Sequence, residues 1–177
     1  MKRNLFIVIC MILAFVLQST AGKWFSSGFV TPNLILIMVS VFGFMCGSAC
    51  GLLTGFFTGL MWDLFYGDVL GFYAMLFMYI GFLNGGFKQI FFKEDIKLPI
   101  VLVSCSDLIY GIICYLARFL LRGRFQFGTY FTHIILPEAV YTVLLTLVIY
   151  PLISMAVSRL EEQVERGKGE ESYVKDN

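Results

Sequence analysis

Apolar residues in this chain fall into six long runs, at about 4–20, 31–45, 47–66, 71–87, 98–120 and 135–157. Within each run there is neither strict alternation nor a strong polar face, so the pattern is that of helices apolar on all sides. A helix that crosses a bilayer needs about 20 mostly apolar residues. The pattern therefore predicts an all-α membrane protein of six transmembrane helices occupying residues 1–160, with short connections. Between the first two runs lie Gly22, Lys23 and Ser26-Ser27-Gly28. Thr31-Pro32 then opens the second run, as proline is tolerated in a first turn whose N–H has no helical partner. A glycine-containing connection follows near Cys46–Ser48, and Gly67-Asp68 marks a turn. Lys88–Lys97 is a polar loop, and Pro99 starts the fifth segment. A second basic loop, Arg118–His133, leads to Pro137 in the first turn of the sixth. The charged, glycine-interrupted tail, 161–177, predicts a frayed helical stub followed by a disordered cytoplasmic segment.

Composition changes the solvent rather than the elements. Of 177 residues 59% are hydrophobic and only 14% charged, against roughly a quarter charged in soluble domains. The mean hydropathy is +0.83. Lipid is the solvent this surface fits. A net charge of +1 gives no field to attract nucleic acid or anionic substrates. The five cysteines (Cys10, Cys46, Cys50, Cys105, Cys114) all lie in apolar runs and read as small packing residues. Cys46 and Cys50 sit one turn apart, a weak ligand pair, and no cofactor or metal is expected. Lys2-Arg3, the apolar run after them and Ser19-Thr20-Ala21 also outline a cleavable signal. With membrane segments following, a retained first helix is the more economical reading.

Orientation follows from the distribution of Lys and Arg. With six spans both termini share one side. Placing them in the cytoplasm puts Lys2, Arg3, Lys88, Lys93, Lys97, Arg159, Arg166, Lys168 and Lys175 inside. Lys23, Arg118, Arg122 and Arg124 remain outside, so the second basic loop is an exception to the rule.

Residues able to carry chemistry are few. Gly47, Gly51, Gly55 and Gly59, followed by Asp63, recur every fourth position and so share one face of the third helix over about 24 Å. Such small-residue faces let backbones approach closely where burial in lipid gives little drive. The neighbour can be another helix of this chain or a partner subunit. Asp63 closes that helix at its negative end and needs a compensating group; it reads as an anchor for the following loop or a subunit contact. Asp107 lies near mid-membrane beside Ser104, Ser106 and Tyr110, as structural glue, a partner or ligand contact, or a proton relay. Glu138 in a first turn fits the helix dipole, and Asp63, Glu138 and the outer arginines are placed to pair. His133 is an interfacial histidine without a role. No nucleophile–base pair, phosphate-binding glycine loop or metal set is present, so no catalysis is expected.

Several of these stretches together resemble the MreD family. They are Thr31-Pro32-Asn33-Leu34, Gly51-Leu52-Leu53-Thr54-Gly55-Phe56, Gly59-Leu60-Met61-Trp62-Asp63-Leu64, Gly67 and Leu70-Gly71, with Asp107 and Pro137-Glu138. The resemblance covers nearly the whole chain. It implies a multi-pass protein of the bacterial plasma membrane that acts without catalysis as a scaffold of the elongation complex, governing cell shape and lateral peptidoglycan synthesis. The partners it implies are a MreC-like membrane protein, MreB filaments, a RodA-like glycosyltransferase and a class B penicillin-binding transpeptidase. It also implies a fold similar to the substrate-binding subunit of energy-coupling-factor transporters, six helices around an outward cavity. From that likeness comes a second function, a vitamin-binding subunit of a transporter. Gly47, Gly51, Gly55, Gly59, Asp63 and Gly71 are the expected packing or partner-binding positions, and Asn33, Asp107 and Glu138 the polar intramembrane or cavity positions.

Overall fold

In the computed structural model the backbone is described at residues 2–24, 31–67, 69–89, 97–122 and 127–175, without side chains at 2, 21–24, 89, 118–122, 127, 129 and 160–175. The helices are α1 (Lys2–Trp24), α2 (Leu34–Cys46), α3 (Ser48–Tyr66), α4 (Phe72–Gly86), α5 (Lys97–Arg122), α6 (Phe127–Tyr130) and α7 (Leu136–Lys175). No strand occurs among the described residues. Long apolar windows suited to crossing a membrane lie at Arg3–Thr20, Ser48–Tyr66, Lys97–Ala117 and Phe131–Arg159, whereas α2 and α4 are apolar but shorter.

The centre of the bundle is α2, which contacts α1, α3, α4, α5 and α7. Every residue from Ile35 to Met45 is buried, as expected of a helix apolar all round. Around it the usual distribution is inverted. On α1 the inner stripe is Ile7, Met11, Ala14, Phe15 and Gln18, while Leu5, Val8, Ile9, Ile12, Val16 and Leu17 face outward. The interior holds Gln18, Asn33, Ser40, Asp63, Asn84, Asp107 and Thr142. A chain with its oils outside and its amides and carboxylates inside is built for lipid.

Glycine sets the closest approaches. A Cβ at Gly55 would lie 2.6 Å from the carbonyl carbon of Phe77 and 2.9 Å from the nitrogen of Met78. At Gly59 it would meet the Cα of Ala74 at 2.5 Å, and at Gly51 the carbonyl carbon of Gly81 at 2.6 Å. The fourfold glycine face of α3 is thus laid against the backbone of α4 in the same chain. Gly47 has φ 100° and breaks α2 from α3, where only glycine is comfortable.

Helix starts depart from the sequence reading in two places. Pro32 is not in the first turn of α2; that helix begins at Leu34, and Asn33 caps it by accepting from Leu36 N at 3.1 Å. Pro137 is likewise not in a first turn. The helical path already runs from Phe127, through a π segment at Phe131–Ile135, into α7. There Leu136 N–H reaches back five residues to the carbonyl of Phe131. The wider turn fits a proline that lacks an N–H and would otherwise crowd the carbonyl four residues back. Glu138 therefore has no free helix N-terminus to complement, and the dipole explanation for it fails. Of the second basic loop, 123–126 lie outside the described residues, as does Arg124, while His133 is helical and exposed. The first polar loop is described only at its ends; 90–96, with Lys93, lie outside, and so does Asp68. The tail also departs from expectation: α7 carries its backbone as helix to Lys175.

Candidate functional site

Polar groups concentrate at one joint, in two buried networks and around one cavity. The joint is between α3 and α4. Asp63 sits in the last turn of α3, where the C-terminal dipole disfavours a carboxylate, but its side chain reaches the start of the next helix. Its Oδ2 accepts from Gly71 N at 3.0 Å and Ala74 N at 2.9 Å, and its Oδ1 from Tyr73 N at 3.0 Å. The positive end of α4 is the compensating group. The surrounding sequence follows from this. A Cβ on Gly67 would lie 2.8 Å from the Cα of Asp63, and Gly71 has φ 96° in the left-handed region. Asp63 at 3% exposure is turned into the chain and is not available to a subunit outside it.

One buried network joins α4, α2 and α5. Asn84 Nδ2 donates to Ser40 Oγ at 2.8 Å and to Ser106 Oγ at 3.0 Å, and Ser106 Oγ donates to Asn84 Oδ1 at 3.3 Å. The other joins α1, α2, α5 and α7 at the start of α2. Leu34 N donates to Gln18 Oε1 at 2.8 Å, and Asn33 N to Thr142 Oγ1 at 3.2 Å. Thr142 is in turn hydrogen-bonded to the Asp107 carboxylate. The other Asp107 oxygen, Oδ1, is buried without a hydrogen-bond partner. Backbone donors at the head of a buried helix must be satisfied inside the protein when the surroundings are lipid, and these side chains do so.

Next to that second network is a cavity of about 310 Å3, lined by Gln18, Thr31, Asn33, Ile35, Trp62, Tyr66, Tyr73, Phe77, Tyr110 and Glu138. Its aromatic wall is ordered. Phe77 and Tyr110 stack at 5.4 Å with an interplanar angle of 8°, Tyr73 lies 6.3 Å from Tyr110, and Trp62 lies 4.6 Å from Tyr66.

The structure thus brings Asn33, Thr142 and Asp107 into one hydrogen-bonded chain and puts Asn33 and Glu138 on the cavity wall. It does not bring the glycine face or Asp63 there: Gly51, Gly55, Gly59 and Asp63 are buried against α4, and Asp107 lies behind the wall. The outer arginine side chains expected to pair with Asp63 and Glu138 lie outside the described residues, whereas Asp63 is occupied by backbone. Among the described residues no cluster of His, Cys, Asp and Glu could hold a metal. Gln18, Asn84 and Thr142 were missed from sequence; the first two are amides isolated in apolar runs, a signal as strong as that which picks out Asp107. At the opposite end of the bundle, Arg3 and Lys88 both come near enough to Cys50 to act on it electrostatically, and a Cβ on Gly47 would lie 3.6 Å from the Lys88 side chain.

The sequence profile of the family described as rod shape-determining protein MreD matches residues 1–159. No curated protein and no solved structure matches the chain.

Proposed function

The chain belongs to the MreD family of rod shape-determining proteins, and from that premise we propose that it is a non-catalytic membrane scaffold of the bacterial elongation complex. Its role is to hold a MreC-like protein and, through it, MreB filaments, a RodA-like glycosyltransferase and a class B penicillin-binding transpeptidase where lateral peptidoglycan is made. The observation that carries the reading beyond the family is how the polar groups are spent. Asp63, Asn84, Asn33 and Thr142 satisfy backbone donors or one another, which serves rigidity rather than turnover. The apolar sides of α1 and α7, with Leu5, Ile9, Ile12, Leu144, Val148 and Leu152 exposed, remain for lipid and for membrane partners.

In this proposal all six long helical paths cross the plasma membrane, α2 shielded from lipid by its neighbours, with both termini in the cytoplasm. Arg3 and Lys88 support that orientation because they gather at one end. A cavity opening at the other end is then extracytoplasmic, in the manner of the substrate-binding subunits of energy-coupling-factor transporters.

The test is co-purification of the tagged protein with the MreC-like protein of its own host, joined to depletion. Recovery of the complex and rounding of depleted cells support the scaffold. Rod shape maintained on depletion, with no MreC-like protein recovered, overturns it.

A further inference from the structure

The outer face of α4 carries one group that lipid does not suit. Tyr79 is the middle residue of that helix (Phe72–Gly86), with about 10 Å of helix on either side. It is 56% exposed, and its hydroxyl has no hydrogen-bond partner among the described residues. A helical side chain leans over the turn N-terminal to its own Cα. Tyr79 therefore leans toward the Asp63 end of the hairpin, where Val69 and Leu70 extend the exposed apolar surface beyond the helix. The side chain is too short to carry its hydroxyl past that surface to a head group. Hydroxyls elsewhere on the lipid side are provided for. Thr20 donates to the carbonyl of Val16, Thr54 to that of Cys50 and Ser104 to that of Ile100. Tyr66 at the end of α3 and Tyr141 in the second turn of α7 stand near the depth where tyrosine meets head groups.

Met75, Phe82 and Leu83 are exposed one turn before and after Tyr79, so they share its face. Gly86 continues that face with open space, since a Cβ there would meet only Ser48 Oγ, at 3.9 Å. The opposite side of α4, with Ala74, Phe77, Gly81 and Gly85, is already taken by α2 and α3. From this placement we propose that the Met75–Gly86 face of α4 is the contact between two copies of this chain, which cross at Tyr79 with their phenols hydrogen-bonded to each other. A helix of another protein would have to bring a side-chain acceptor to the same depth, because its backbone carbonyls are used within the helix. A second copy brings one by symmetry. All copies insert with the same orientation, so the two-fold axis is normal to the bilayer and each residue meets its counterpart at its own depth. A phenol both donates and accepts, so one hydroxyl donates, the other accepts, and neither is left unpaired in hydrocarbon. Met75 and Leu83, four residues to either side, then pack between the corresponding ridges of the copy. The contact leaves the faces of α1 and α7 to other subunits, goes beyond the scaffold reading and does not depend on it.

The test uses the full chain in its native membrane. The photoreactive residue p-benzoyl-phenylalanine replaces Tyr79, and two differently tagged copies are coexpressed. Irradiation should give an adduct that carries both tags at twice the 20.1 kDa of the chain. Its yield should be several-fold that from the same probe at Ile109 of α5 or Val148 of α7, which are exposed to a similar degree on other faces. Affinity is read separately, by energy transfer between labelled copies in liposomes progressively diluted with lipid. Tyr79→Phe keeps the ring and removes the hydroxyl, and should weaken the dimer by about three- to twentyfold, the range that one interhelical hydrogen bond in lipid supplies. Tyr79→Gln, which can also pair with its own copy, should stay near the wild type. The side chain is exposed, so neither variant should unfold the chain. Adducts with lipid alone, or with another protein in place of a second copy, overturn the proposal. So does a wild type that is monomeric at every dilution, or a Tyr79→Phe variant that dimerises as tightly as the wild type.

Discussion

Replacing Gly55 by alanine sets two terms of opposite sign against each other. In a helix alanine is favoured over glycine by about 1 kcal/mol, so a glycine kept by chance would be improved. Here the new Cβ would sit 2.6 Å from the Phe77 carbonyl carbon and 2.9 Å from Met78 N. Ordinary contact begins at 3.4 Å and the Phe77 carbonyl oxygen lies closer still than its carbon, so α4 must retreat by at least about 0.8 Å. The obstacle is backbone and cannot turn aside as a side chain would. A gap of about 0.5–1 Å forfeits a quarter to a half of each dispersion contact, and the same retreat opens the interface at Gly51 and Gly59. Overpacking costs about 1–3 kcal/mol, and a rigid obstacle belongs at the upper end. The net loss is then about 2 kcal/mol, a drop of roughly 4–8 °C in melting temperature for a chain of this size. The assay is thermal unfolding in detergent, in a background where the buried Cys114 is the single remaining cysteine, with a thiol-reactive fluorophore that reports it as it opens. The paired control is Gly128→Ala, where nothing lies within 4 Å and the change should be neutral or stabilising. If Gly55→Ala melts at or above the wild type, the close α3–α4 contact is not what holds the hairpin. Gly55→Leu should lower accumulation in the membrane outright.

Other perturbations test the remaining joints. Asp63→Ala removes the acceptor of three backbone donors and should cost about 2–4 kcal/mol, with Asp63→Asn intermediate because one oxygen remains; equal melting of all three proteins in the thiol assay would refute the cap. Asn84→Ala should cost about 1–2 kcal/mol, in the range of interhelical hydrogen bonds in lipid, and Ser40→Ala in the same background should add less than it does alone. Asp107→Asn keeps an acceptor for Thr142 and removes a buried carboxylate with one unpartnered oxygen, so its melting temperature should stay or rise; a clear fall would mean the charge itself is stabilising. A cysteine introduced at Thr31 in a cysteine-free chain should react with a membrane-impermeant maleimide in intact cells, and one at Gly86 should not; the reverse pattern inverts the topology.

Much of this was legible because lipid imposes simple rules on sequence. Run lengths located the helices, and fourfold glycine spacing identified the face of α3 that needs a close neighbour, without saying that the neighbour is α4. Asp63 was recognised as needing compensation, yet its partner is the head of the helix beginning nine residues later. That pairing depends on a tight return which spacing alone does not specify. The two prolines misled for one reason. Proline suits a first turn, but it also suits the residue before a cap, as Pro32 shows, and the interior of a helix when a π turn makes room, as at Pro137. Reading Asn33 as the cap would have corrected the first. Nothing local corrects the second, because the π segment is paid for by the packing of α7.

The hydrogen bond from Asn33 to Thr142 links residues 109 positions apart, and this gives the bundle a timetable. At about 5–20 residues per second, the head of α2 leaves the ribosome some 5–20 s before the side chain that completes it. During that interval α2, whose 13 residues reach only about 20 Å, has neither its last polar partner nor its full sheath of neighbours. Biogenesis therefore has a vulnerable window that closes with α7. A chain truncated before Thr142 would keep most of its apolar segments and still be unfinished at its centre, a species for membrane proteases to remove.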